Sequence, residues 1–290
     1  MKRKISFRVE AALVMLLAVG SIVLGKAGRN AADSAVKSEA GRLMGGLSQL
    51  WPGWKPPPEM GPSRETAGSP LLAAQGRGDG SQRVEAEIGL AVAGAFRAWA
   101  RQALPPGPEF GDAGPTAPEA WARKALVELK TKEAGLLVEI LDAPKAEEAR
   151  VKVAAWTRVR FRRAAILPGE VLARLRADER ERGLALYTAY QALLYGRHPG
   201  YEPGSEIAAA VPGFAYTLAP HLREAVLAAL GRAARGDPAA CTPEISGFAM
   251  ALALDRVRHG WREELLEGKT SLDELLVAQV RPFGPERSRK

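Results

Sequence analysis

VEAEIGLAVAGAFRAWARQA, residues 84–103, decides the fold class. Val84, Ile88, Val92, Phe96 and Trp99 recur every three to four residues, the spacing that lines side chains along one face of an α-helix. The alanines between them favour helix, and the strict apolar–polar alternation of a strand is missing. The same grammar continues downstream. A Pro/Gly loop from Pro105 to Pro118 closes this segment, and Thr116, Pro118 and Glu119 then read as the capped start of a helix carrying Leu126, Leu129, Leu137 and Ile140. Pro144 breaks that run. Further helices are expected from Pro144 to Leu167, Glu170 to Tyr195, Pro220 to Ala234 and Thr242 to Glu267. A last one opens with Ser271 and Glu274 as a capping box and ends before Pro282. With about seven helices and no repeat of fixed length, residues 84–281 are expected to form an all-α helical bundle or array. Composition agrees: the chain is 47% hydrophobic but only 6% aromatic, so Ala, Leu and Val carry the apolar content.

Upstream of residue 84 the composition changes. Trp51 to Gln82 is rich in Pro and Gly and reads as a linker, so residues 26–83 are expected to be a linker or stalk, with a short helix over 31–50. Arg77-Gly78-Asp79 inside it is read as three ordinary linker residues and not as an adhesion motif. The first residues, MKRKISFR, are basic, and Ala11 to Gly25 then carry no charge. Fifteen uncharged helical residues span roughly 22 Å, which suits a signal peptide or a short membrane anchor. Residues 1–25 are therefore expected to deliver the chain to a bacterial-type membrane, contacting it through residues 9–25, with the N-terminus inside and the body outside, or to release it if cleaved. No small-x-small cleavage site free of charge follows the run, so both outcomes stay open.

The net charge of +8 raises the question of nucleic acid, but four bases against one acid in each terminal ten residues account for +3 apiece. The body is then close to neutral, residues 282–290 read as a basic disordered tail, and nucleic acid is not the expected partner. Cys241 is the single cysteine, which excludes an intramolecular disulfide, a cysteine zinc cluster and a lipidated N-terminal cysteine; it reads as a small buried filler.

Two constellations are candidate sites. The segment Arg150 to Arg163 holds six bases, no acid, and Trp156 and Phe161 between them. Arg158, Arg160, Arg162 and Arg163 are its candidate contacts to a polyanion, either nucleic acid or anionic lipid. His221 with Glu224 and His259 with Glu263 have the i,i+3 and i,i+4 spacing that allows metal binding or acid–base work, although neither forms H-E-x-x-H. Gly268-Lys269-Thr270 lacks the upstream glycine and strand of a phosphate-binding loop. Trp121, Trp156 and Trp261 read as core or interface anchors. No cofactor is implied. The expected function is a non-catalytic structural or interaction part of a bacterial cell envelope, partnered by another envelope protein. An exported enzyme with a His/Glu site and a polyanion-binding protein are the alternatives.

Overall fold

Thr242 and Pro243 start the helix around which the others are arranged. The Thr242 hydroxyl accepts from the Ile245 amide at 3.4 Å, and Pro243 occupies the first turn, where its missing N–H costs nothing. In a computed structural model of the chain the described residues are 32–55, 69–71, 73, 80–104, 120–268 and 270–280, without the side chains of 120 and 121. The Thr116/Glu119 capping box, Trp121's side chain, residues 1–31, the Arg77-Gly78-Asp79 tripeptide and the basic tail lie outside them.

The described residues are helical and contain no strand, as an all-α bundle requires. Helix α1 covers residues 32–46. It is followed by α2 (Gly80–Ala103), α3 (Ala120–Asp142), α4 (Ala146–Ile166), α5 (Gly169–Asp178), a π turn (Glu179–Gly183) and α6 (Leu184–Gly196). The rest are α7 (Ser205–Ala210), α8 (Leu218–Ala234), α9 (Pro243–Val257), α10 (Trp261–Leu266) and α11 (Leu272–Val277). Helix α3 pairs with α4 across the Pro144 turn, α2 packs along α6, and α8 lies on α3. Helix α9 touches α3, α4, α5, the π turn, α6, α8 and α11, and it is apolar around its circumference, as a helix surrounded by others must be.

Two features depart from the sequence reading. The helix expected over Thr242 to Glu267 is two helices: Arg258 is extended and Gly260 adopts left-handed φ of 71°, so α10 leaves at a new angle. The helix expected from Glu170 to Tyr195 carries the π turn at its middle. There, Gly183 faces Gly247 of α9 backbone to backbone, and a Cβ on Gly247 would fall on the Glu179 carbonyl oxygen.

The buried unit also begins well before residue 84. Ala40, Leu43, Trp51 and Leu71 are fully inside. Trp51 stands 5.0 Å from Phe96 and 5.8 Å from Trp261, and Trp54 stands 5.2 Å from Trp99, measured between ring centroids. Each indole N–H is satisfied, Trp51 donating to Thr188 Oγ1 at 3.1 Å and Trp54 to the Met44 carbonyl at 2.9 Å. Core residues thus stand on both sides of the Pro/Gly stretch, at Trp54 and at Ser69, whose hydroxyl donates to buried Glu244 at 2.7 Å.

Candidate functional site

Helix α4 turns Ala149, Val153, Trp156 and Arg160 to the interior, the last of them 3% exposed. A guanidinium in that position needs anionic partners, and two helices and the π turn supply them. Arg160 donates to both carboxylate oxygens of Glu179, at 2.5 and 3.1 Å, and to Asp273 Oδ2 at 3.2 Å, while Glu133 Oε2 lies 3.5 Å from its Nη1. Arg163 donates to Glu133 at 2.5 Å, and Arg176 donates to Asp273 at 3.0 Å and pairs with Glu274 at 3.3 Å. Ser246 of α9 donates to Glu179 at 2.9 Å. The network joins α3, α4, α5, the π turn, α9 and α11 at one point.

Its electrostatics follow from desolvation set against pairing. Burial opposes the charge on Arg160, but Glu179, Glu133 and Asp273 outweigh it and raise the guanidinium pKa. Burial raises the Glu133 carboxyl above its ordinary range against the pull of Arg160 and Arg163. At Asp273 the same burial is overcome by Arg160, a Ser271 hydrogen bond and Arg176, so its carboxyl sits below the usual value. Beside the network a pocket of about 40 Å³ is lined by Lys130, Glu133, Arg163, Glu179, Cys241 and Ser246, among others. Cys241 is buried, and desolvation pushes its thiol up to about 11.

Arg158, Arg160, Arg162 and Arg163 do not form one surface. Arg160 and Arg163 face inward and are neutralised by carboxylates, whereas Arg158 and Arg162 are exposed. The periodicity of α4 explains the split, because four bases spread over residues 158–163 cannot share one face. His221 and Glu224 form an exposed 3.3 Å pair in the first turn of α8. His259 and Glu263 are exposed around the α9–α10 break. No group of three or more His, Cys, Asp or Glu poised to hold a metal occurs among the described residues, so the two pairs do not converge. Trp156 and Trp261 are core residues.

Glu179 is one of the nearby acids that the sequence offers as ion partners for this helix, whereas Glu133 and Asp273, carboxylates on otherwise apolar faces, were missed. Glu133 shares helical spacing with Leu137 and Ile140, and that placement alone demands a cation. Three further acids act as clamps. Glu39 accepts from Tyr216 at 2.6 Å, Tyr201 at 2.9 Å and the Gly204 amide at 2.9 Å, fixing α1 to the body. Asp255 accepts from Tyr187 at 2.7 Å, Trp261 at 3.0 Å and Arg262 at 2.5 Å across the α9–α10 break. Glu85 accepts from the Thr217 and Leu218 amides at 2.8 and 2.7 Å, supplying from α2 the anion that the start of α8 lacks. No helix among the described residues is long and apolar enough to cross a membrane. No family model, curated protein or solved structure matches this chain.

Proposed function

We propose that this protein is a membrane-anchored or exported helical component of a bacterial-type envelope, with a structural or protein-interaction role centred on the outer face of α4. One observation carries the interaction role. Val151, Ala154, Arg158, Phe161 and Ala165 follow each other at alternating spacings of three and four, the period of a helix–helix seam, on the side of α4 opposite the buried network. Val151 is 70% exposed and Phe161 53% exposed, which leaves the seam without a partner helix over these two residues among the described residues. The inner side of the same helix is held by Arg160 and Arg163, so the seam is presented on a rigid support. Delivery rests on the basic start and the uncharged run Ala11 to Gly25. Because α1 already belongs to the body, a retained anchor would be separated from it by at most about 25 Å of chain, closer than a stalk of residues 26–83 would set it. A photo-crosslinking residue replacing Phe161 in intact cells is expected to give a discrete adduct with an envelope protein, whereas the same residue replacing exposed Glu224 on α8 is not. No adduct at 161, or equal yields at both positions, rejects the seam.

A further inference from the structure

We propose that the pocket beside the buried ion network is a binding site for water-sized, neutral hydrogen-bond donors, occupied by ordered water that donates to Glu133 Oε1. The Glu133 side chain is 7% exposed, and only one of its oxygens is used: Oε2 takes both Arg160 and Arg163, while Oε1 is buried with no hydrogen-bond partner. A buried carboxyl oxygen left bare is costly, and native structures satisfy such atoms with water where the protein provides none. The pocket at this carboxylate has a volume of about 40 Å³. That is room for about two or three waters, each needing roughly 10–15 Å³.

The walls select the occupant. Lys130, on the same helix one turn before Glu133, offers an ammonium donor; Ser246, already donating to Glu179, retains acceptor capacity; Cys241 adds a weakly polar thiol. A water here accepts from Lys130 and donates to Glu133, and thereby reaches the two to four partners that an ordered internal water makes. An anion would face Glu133 and Glu179, and a cation would face Lys130 and Arg163. The class left is a neutral donor of water's size.

The test is water-oxygen magnetic relaxation dispersion on the full-length protein, which counts long-lived internal waters, in the wild type and in Cys241→Leu and Glu133→Gln. Cys241→Leu fills the pocket with carbon and is expected to lose at least one long-lived water, and Glu133→Gln, whose single oxygen stays on Arg160 and Arg163 so that its N–H2 faces the pocket, is expected to lose the bond the water donates and shorten its residence. Equal dispersion in the wild type and Cys241→Leu overturns the proposal. If Cys241→Leu does not fold, Cys241→Val gives the same comparison. An atomic-resolution crystal structure of the wild type provides an independent readout: solvent density within hydrogen-bond distance of Glu133 Oε1 supports the site, and an empty pocket rejects it.

Discussion

Arg160 is where a single substitution reaches furthest, because Glu133, Glu179 and Asp273 are all at least nine-tenths buried around it and depend on its charge. Arg160→Leu leaves three desolvated carboxylates uncompensated, and chemical denaturation is expected to show a loss of ~3–5 kcal/mol. Arg158→Leu, two residues back on the opposite and exposed face, is expected to change stability by less than ~0.5 kcal/mol. The same cluster sets a pH dependence with two signs. Asp273 has a folded pKa below its ordinary 3.8, so the stability it contributes is present above that value and is lost as pH falls through the folded pKa. Glu133 has a folded pKa above its ordinary 4.5, so the fold favours its protonated form, and that contribution is lost as pH rises from 4.5 through the folded pKa. Melting temperatures followed by circular dichroism across pH should therefore lose their acid-side fall in Asp273→Asn and part of their decline above pH 4.5 in Glu133→Gln; unchanged profiles in both would contradict the assignment. In the sequence these residues were visible only as charges at helical spacing with apolar neighbours. Reading Arg160 and Arg163 as surface bases fails because a count of like charges ignores the face each occupies.

At the scale of elements, the π turn and α9 are joined through glycine. Adding a methyl at Gly247 drives it into the Glu179 carbonyl oxygen, a backbone atom with no rotamer to yield, and at Gly183 into the backbone of Gly247 and Phe248. Gly247→Ala is expected to cost ~3 kcal/mol by thermal unfolding, while Gly41→Ala, where nothing lies within 4 Å, is expected to be neutral or slightly stabilising. A comparable loss in the two variants would show that the close approach is not limiting. Helix existence was legible because caps and apolar periodicity are local: the Ser271/Glu274 box and the Thr242 cap form as read. The break at Arg258–Gly260 was not legible, since one glycine in a periodic run is tolerated by many helices. What selects the break here is tertiary: Asp255, Trp261 and Arg262 bind one another only if α10 turns away, and the Arg258 side chain then reaches Glu264 at 3.0 Å and the Leu275 carbonyl at 3.1 Å.

Over the whole molecule, residues 32–55 act as part of the core and not as a lead into it. Trp51 packs against Phe96, Trp99, Tyr187 and Trp261, so Trp51→Ala removes the centre of that cluster; a loss of ~3–5 kcal/mol is expected, and with it the protease resistance of α1. Proline and glycine content marks where the chain is punctuated, but two tryptophans just ahead of the PPP run bind residues 32–55 to the core, and a count of punctuating residues does not register that. The boundary at residue 84 therefore came out 52 residues later than the start of α1. The proposed envelope role places this body outside the cytoplasm, tethered or released by its first 25 residues. Protease treatment of spheroplasts expressing the full chain, followed by intact-mass analysis of its N-terminus, tests it directly. Digestion of the body from outside, in cells whose cytosolic marker stays intact, is the predicted result, and the mass then distinguishes an anchor from a removed signal. A body that is protected and recovered in the soluble cytosolic fraction would contradict it.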